Sequence, residues 1–217
     1  MLTAPAPLSD EAPLSTPRYS LQEASNNGLV QYEVRGNGSS SGPSLVIGIR
    51  LTNFRAIDVY VLPGTVFTSG NANAQRMVAW RVVATIAQSG QDLSPVTSMY
   101  LPDAEERLFV IEAYCLDFHL DNPEVADAFT AQASLATPVE ASLDIRAAQI
   151  IAEGKKRELT IEGIQSAIWM DHESVTQPEI KAKFDAAAKD LDDAFNMLQT
   201  LPPPQSLGAG RQTVKCK

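Results

Sequence analysis

Between Leu29 and Leu120 the chain is cut into short runs of β-branched, aliphatic and aromatic residues by clusters of glycine, proline, serine and asparagine. Runs of this length, separated by turn chemistry and with no intervening helical period, can bury their apolar faces only by pairing as strands. That confines the stretch to an antiparallel sandwich or a barrel, and the spacing favours the sandwich. The runs are Leu29 to Val34, Leu45 to Leu51, Val59 to Phe67, Met77 to Ala87, Val96 to Leu101 and Arg107 to Phe118. In the second, Leu45, Ile47, Ile49 and Leu51 alternate with Val46, Gly48 and Arg50, the period of a half-buried strand with one face on a core.

The pattern changes after Asp121, and all seven lysines lie at or beyond Lys155. Leu143, Ala147 and Ile150 have helical spacing, as do Ile161, Ile164, Ala167 and Ile168. A third helix is predicted from Thr176 to Thr200. Thr176-Gln-Pro-Glu179 is a capping box with proline in the first turn, and Ile180, Phe184, Ala188, Leu191, Phe195 and Leu198 follow as one apolar stripe. The expected class is therefore α+β: an antiparallel, Ig-like β-sandwich over residues 18–121, then a helical segment of about three helices over 122–201 that packs on the sandwich or on a partner. Residues 1–17, rich in proline, read as a disordered arm, and 202–217 as a flexible tail.

Bulk properties exclude several classes of function. A net charge of -9 and a low aromatic share argue against nucleic acid, since the one basic run, Lys155-Lys156-Arg157, is flanked by Glu153 and Glu158. No run is long enough to cross a bilayer, and the first residues lack a signal-peptide pattern, so the expectation is a cytoplasmic protein with no membrane partner. It becomes extracellular if the native chain begins further upstream. Two cysteines, Cys115 in an apolar run and Cys216 near the end, rule out a disulfide framework.

Candidate sites are few. Gly36, Gly38 and Gly42 lie between two predicted strands, which makes them hairpin residues, because a phosphate cradle needs the loop to open a helix. Asp117, His119 and Asp121 recur at every second residue where a strand ends, and with His172 they compose an oxygen and imidazole ligand set for a divalent cation. The commoner reading is a strand end entering solvent. Cys115 and His119 are four residues apart on a strand, poor geometry for a catalytic dyad, so a buried structural thiol is favoured.

Two segments carry a resemblance. Tyr114-Cys115-Leu116 and Ile164-Gln165-Ser166-Ala167-Ile168-Trp169 resemble two motifs of the thioester domains of bacterial surface adhesins. The resemblance implies an internal Cys–Gln thioester that acylates an amine on a target, with Cys115 carrying the acyl group and Gln165 in a supporting role. The family's further glutamine motif, which donates the acyl group, has no match after Gln165; Gln199 and Gln205 lie beside the proline run.

The favoured expectation is a non-catalytic protein-interaction or structural subunit that needs no cofactor. Its partner is another protein chain or a second copy, engaged through Ile180, Phe184, Leu191, Phe195 and Leu198. The alternatives are a thioester-type covalent binder at Cys115 and a metal site at the end of the last strand.

Overall fold

The computed structural model describes residues 13, 15–87, 92–131 and 143–203. The expected arm, most of the tail, Gln205, Cys216 and the Ser89-Gly90 turn lie outside them. The class is α+β. In chain order the elements are β1 (Arg18–Ser20), α1 (Leu21–Asn26), β2 (Val30–Gly36), β3 (Ser41–Leu51), β4 (Ile57–Tyr60), β5 (Val66–Ser69), β6 (Met77–Ile86), β7 (Leu93–Pro95), β8 (Met99–Leu101), β9 (Arg107–Cys115), β10 (Ala128–Ala131), α2 (Ile145–Lys156), α3 (Ile161–Glu173), α4 (Gln177–Phe184) and α5 (Ala188–Thr200).

Seven strands form one sheet in the order β5-β10-β2-β3-β9-β6-β7, and β5 also pairs with β6. The hydrogen-bonded ladder from β5 round to β6 therefore closes on itself, with β7 hanging from the far end of β6. All its pairings are antiparallel. A second sheet, β1-β4-β8, has one parallel pairing, β1 with β4, and one antiparallel, β4 with β8.

Both sheets feed a single apolar cluster. Leu45, Ile47, Ile49 and Leu51 of β3, the alternating set, are all buried in it beside Ile57 and Val59 of β4 and Met99 and Leu101 of β8. A second cluster lies under the helices, where Ala147, Ile150 and Ile151 of α2 and Ile164, Ala167 and Ile168 of α3 meet Val66, Val78, Tyr114 and Leu116. Close approach of α2 to α3 requires glycine at position 154, where an added Cβ would fall 2.6 Å from Ile164 Cγ1. Gly64, at φ +90°, turns the chain between β4 and β5 against the start of α2, and its carbonyl accepts from Asp144 N–H at 2.8 Å.

The expected helix over 176–200 is two helices. Its N-terminus begins at the expected box, with Thr176 N–H donating to Glu179 at 2.8 Å and the Thr176 hydroxyl at 2.6 Å. α4 then stops at Asp185, which takes a left-handed conformation at φ +48°. The break lets the halves serve different cores: Ile180 enters the cluster between the sheets, while Ala194 and Met197 enter the one beneath the helices. Four short elements escaped the sequence reading altogether: β1, α1, β7 and β10. Among the described residues no helix is long and apolar enough to cross a membrane.

Candidate functional site

Strand β9 and helix α3 bring together the two segments singled out in the sequence. Cys115 ends β9 with no exposed surface, and Gln165 projects from α3 toward it, 2% exposed. The Gln165 carboxamide grips the Cys115 backbone in both directions: Oε1 accepts from Cys115 N–H at 2.9 Å and Nε2 donates to Cys115 C=O at 2.7 Å. The same N–H also reaches the Ser40 carbonyl at 3.0 Å. The Cys115 thiol turns the other way, into the core between the sheets, where Sγ lies 3.3 Å from Met77 Sδ. Burial, reinforced by the charge of Asp117 and only partly opposed by Lys183, pushes the thiol pKa well up, so the thiolate is disfavoured. Gln165 is thus engaged with peptide groups while the sulfur is held apart from solvent.

A cavity of about 250 Å³ opens beside this junction. Glu162, Gln165, Ser166 and Trp169, one face of α3, form one wall; Ser40 and Ser41 from the β2–β3 turn form another; Ile180, Phe184 and the Asp185–Ala187 link close the third. Trp169 stacks on Phe184 at a centroid distance of 4.7 Å and meets Phe118 edge-on at 5.2 Å. Its indole Nε1 is buried with no hydrogen-bond partner.

The candidate metal ligands are not brought together. Asp117 accepts from the Arg76 backbone N–H at 2.8 Å and forms a two-pronged pair with the Arg76 guanidinium. Burial works against its ionised form, but those contacts hold its pKa below the usual value. His119 and Asp121 are exposed, His119 lying edge-on to Phe118. His172 instead pairs its Nε2 with Asp144 at 2.8 Å, at the N-cap of α2. The proposed four-residue cation site is corrected on that ground: Asp117 and His172 are committed to separate ion pairs. Among the described residues no cluster of three His, Cys, Asp or Glu side chains is arranged to hold a metal.

The expected partner-binding stripe is also redistributed. Ile180 and Leu191 are spent on the chain's own core, a correction that follows from the break at Asp185. Phe184 is half-buried against Trp169. Phe195, 48% exposed, and Leu198 line an open groove of about 870 Å³ between α3, α4 and α5, together with Met170, Val175 and Pro178.

Several polar groups went unread in the sequence. Glu112, 4% exposed in β9, accepts from the Tyr114 hydroxyl at 2.8 Å, pairs with Arg81 at 3.1 Å and is also contacted by Lys155 of α2. Burial opposes its charge, yet Lys155, Tyr114 and Arg81 hold its pKa below the ordinary value. A lone acid inside the apolar run from Leu108 to Leu116 was the available signal. Arg76 and Asp144 offered none, because their partners are distant in sequence. Comparison with known proteins finds no family model, no curated protein and no solved structure that matches this chain.

Proposed function

We propose that the chain is a non-catalytic protein-interaction or structural subunit, and that its contact surface is the groove between α3, α4 and α5. In this reading the ring and the three-stranded sheet act as the two layers of an Ig-like sandwich, with the C-terminal helices as its docking layer. The observation that carries it is the retained exposure of Phe195 over a floor of Met170, Val175, Pro178 and Leu198, when the rest of the stripe is buried. An apolar floor with a polar rim of Thr176, Asp192 and Gln199 has the composition of a protein contact.

Charge selects the kind of partner. Asp171 and Asp192 line the groove, α3 ends there with its negative pole, and the whole chain carries -9, so a basic segment with an apolar anchor fits better than a second copy. The test compares the parent with Phe195→Asp and with a control, Leu93→Asp, at an equally exposed site on β7. A partner that copurifies with the parent and the control but not with Phe195→Asp, at unchanged Tm, supports the reading. The same partner retained on all three overturns it.

A second reading is favoured by one observation, the contact between Cys115 and Gln165. A thioester-type covalent binder forms when a cysteine thiol attacks a glutamine carboxamide carbon, making the C–S bond and releasing ammonia with the thiol proton. Gln165, gripping the backbone, fits the supporting role and leaves the acyl donor elsewhere. Intact denatured mass of the unreduced protein decides it. A deficit of one ammonia, absent in Cys115→Ala, supports the covalent reading, and a full mass removes it.

A further inference from the structure

We infer that the cavity between the β2–β3 turn, α3 and the α4–α5 link is a binding site for a small organic cation that also carries a carbonyl oxygen. It is independent of the groove and shares no residue with it. The inner end supplies a donor. Trp169 is 2% exposed and its Nε1–H is buried without a partner, which costs free energy until an acceptor arrives. The walls supply apolar contact from Ile180 and Phe184 and hydroxyls from Ser40, Ser41 and Ser166.

The outer end has the opposite character. Glu162 and Asp185 line the cavity, both are exposed, and neither forms an ion pair among the described residues. Two carboxylates at the mouth repel anions and favour an ammonium group, while the indole N–H inside has no use for one. A volume of about 250 Å³ is below the range of drug-sized sites, so the ligand is a compact molecule with a short chain between its ammonium and its carbonyl. Cys115 does not line the cavity, and the recognition is non-covalent.

The indole N–H is its own reporter. In the full chain, a Trp80→Phe background leaves Trp169 as the single indole resonance, which is followed while 5-aminopentanamide, pentanamide and pentylamine are each added to about 20 mM, enough to detect millimolar affinity. The expected result is a saturable downfield shift with 5-aminopentanamide, at an affinity at least about fivefold above that of either compound lacking one group. Glu162→Gln with Asp185→Asn, both surface changes compatible with the local backbone, reduces that preference to that of pentanamide and leaves the rest of the spectrum in place. An indole resonance that does not move, or moves equally with all three compounds, overturns the proposal. So does an affinity unchanged in the double variant.

Discussion

The two faces of β9 are buried in different ways. Phe109, Ile111, Ala113 and Cys115 project into the core between the sheets, where every neighbour in the cluster is apolar. On the opposite face Tyr114 and the following Leu116 join the cluster beneath the helices, and Glu112 places a carboxylate between them. One face holds the sheets together through area alone; the other fixes where α2 sits by meeting Lys155 with a buried charge. Hydrophobic burial is tolerant of small displacements, whereas a buried carboxylate accepts only the position in which all its partners are reached.

The largest effect should come from the apolar face. Ile111→Ala should cost about 3–4 kcal/mol in urea unfolding, the usual range for a large deletion at a fully buried site. A loss below about 1 kcal/mol would show that this face is not the main core.

Next comes the charged face. Glu112→Ala should cost about 2–3 kcal/mol, because Lys155 and Tyr114 lose their partner beneath α2. Glu112→Met combined with Lys155→Met should return to within about 1 kcal/mol of the parent, since paired removal leaves no uncompensated charge. If the double change is as damaging as the single one, the cluster contributes stability and not merely position.

Gln165→Ala sits at the junction of the two faces and should cost about 1–3 kcal/mol, by freeing the Cys115 carbonyl and weakening the hold on its N–H. The accompanying sign is accelerated amide exchange at Cys115, which the Ser40 carbonyl alone would protect less well. Unchanged exchange would show that the carboxamide grip is incidental.

The smallest effect is the pH dependence. His172 has its pKa raised from 6.5, burial opposing and Asp144 and Asp171 prevailing, so its contribution is present below pH 6.5 and lost as pH rises through the raised value. Asp144 and Glu112 are lowered from 3.8 and 4.5, so theirs is present above those values and lost as pH falls through the depressed ones. Thermal unfolding should therefore show a plateau between roughly pH 4.5 and 6.5 with a decline on either side. His172→Gln should remove the decline on the alkaline side, and a parent-like decline in that variant would place its origin elsewhere.

Much of this arrangement was legible in the sequence. β2, β3, β6 and β9 follow their alternating or apolar runs, and α3 and the start of α4 follow their spacing and their caps. The missed elements are those whose identity is not local. β1, β7 and β10 have three or four residues each and exist because a longer strand offers an edge. α1 carried a readable signal, since Ser20 and Glu23 form a capping box, but its six residues are too few to show a period. The break at Asp185 was concealed by the helix-favouring alanines that follow it. At the site, Cys115 and Gln165 were identifiable as residues, whereas the Arg76–Asp117 and Asp144–His172 pairs depend on contacts that only the folded chain creates.

The closed ladder has a consequence for the order of folding. β2 and β3 are joined by a tight turn and can pair as soon as both exist, but β10 must return to β2 from far along the chain and capture β5 on its other side with only four residues. The entropy of closing so long a loop is recovered only when the rest of the ring is already in place. This seam is therefore the last to zip during folding and the first to part when the native state breathes.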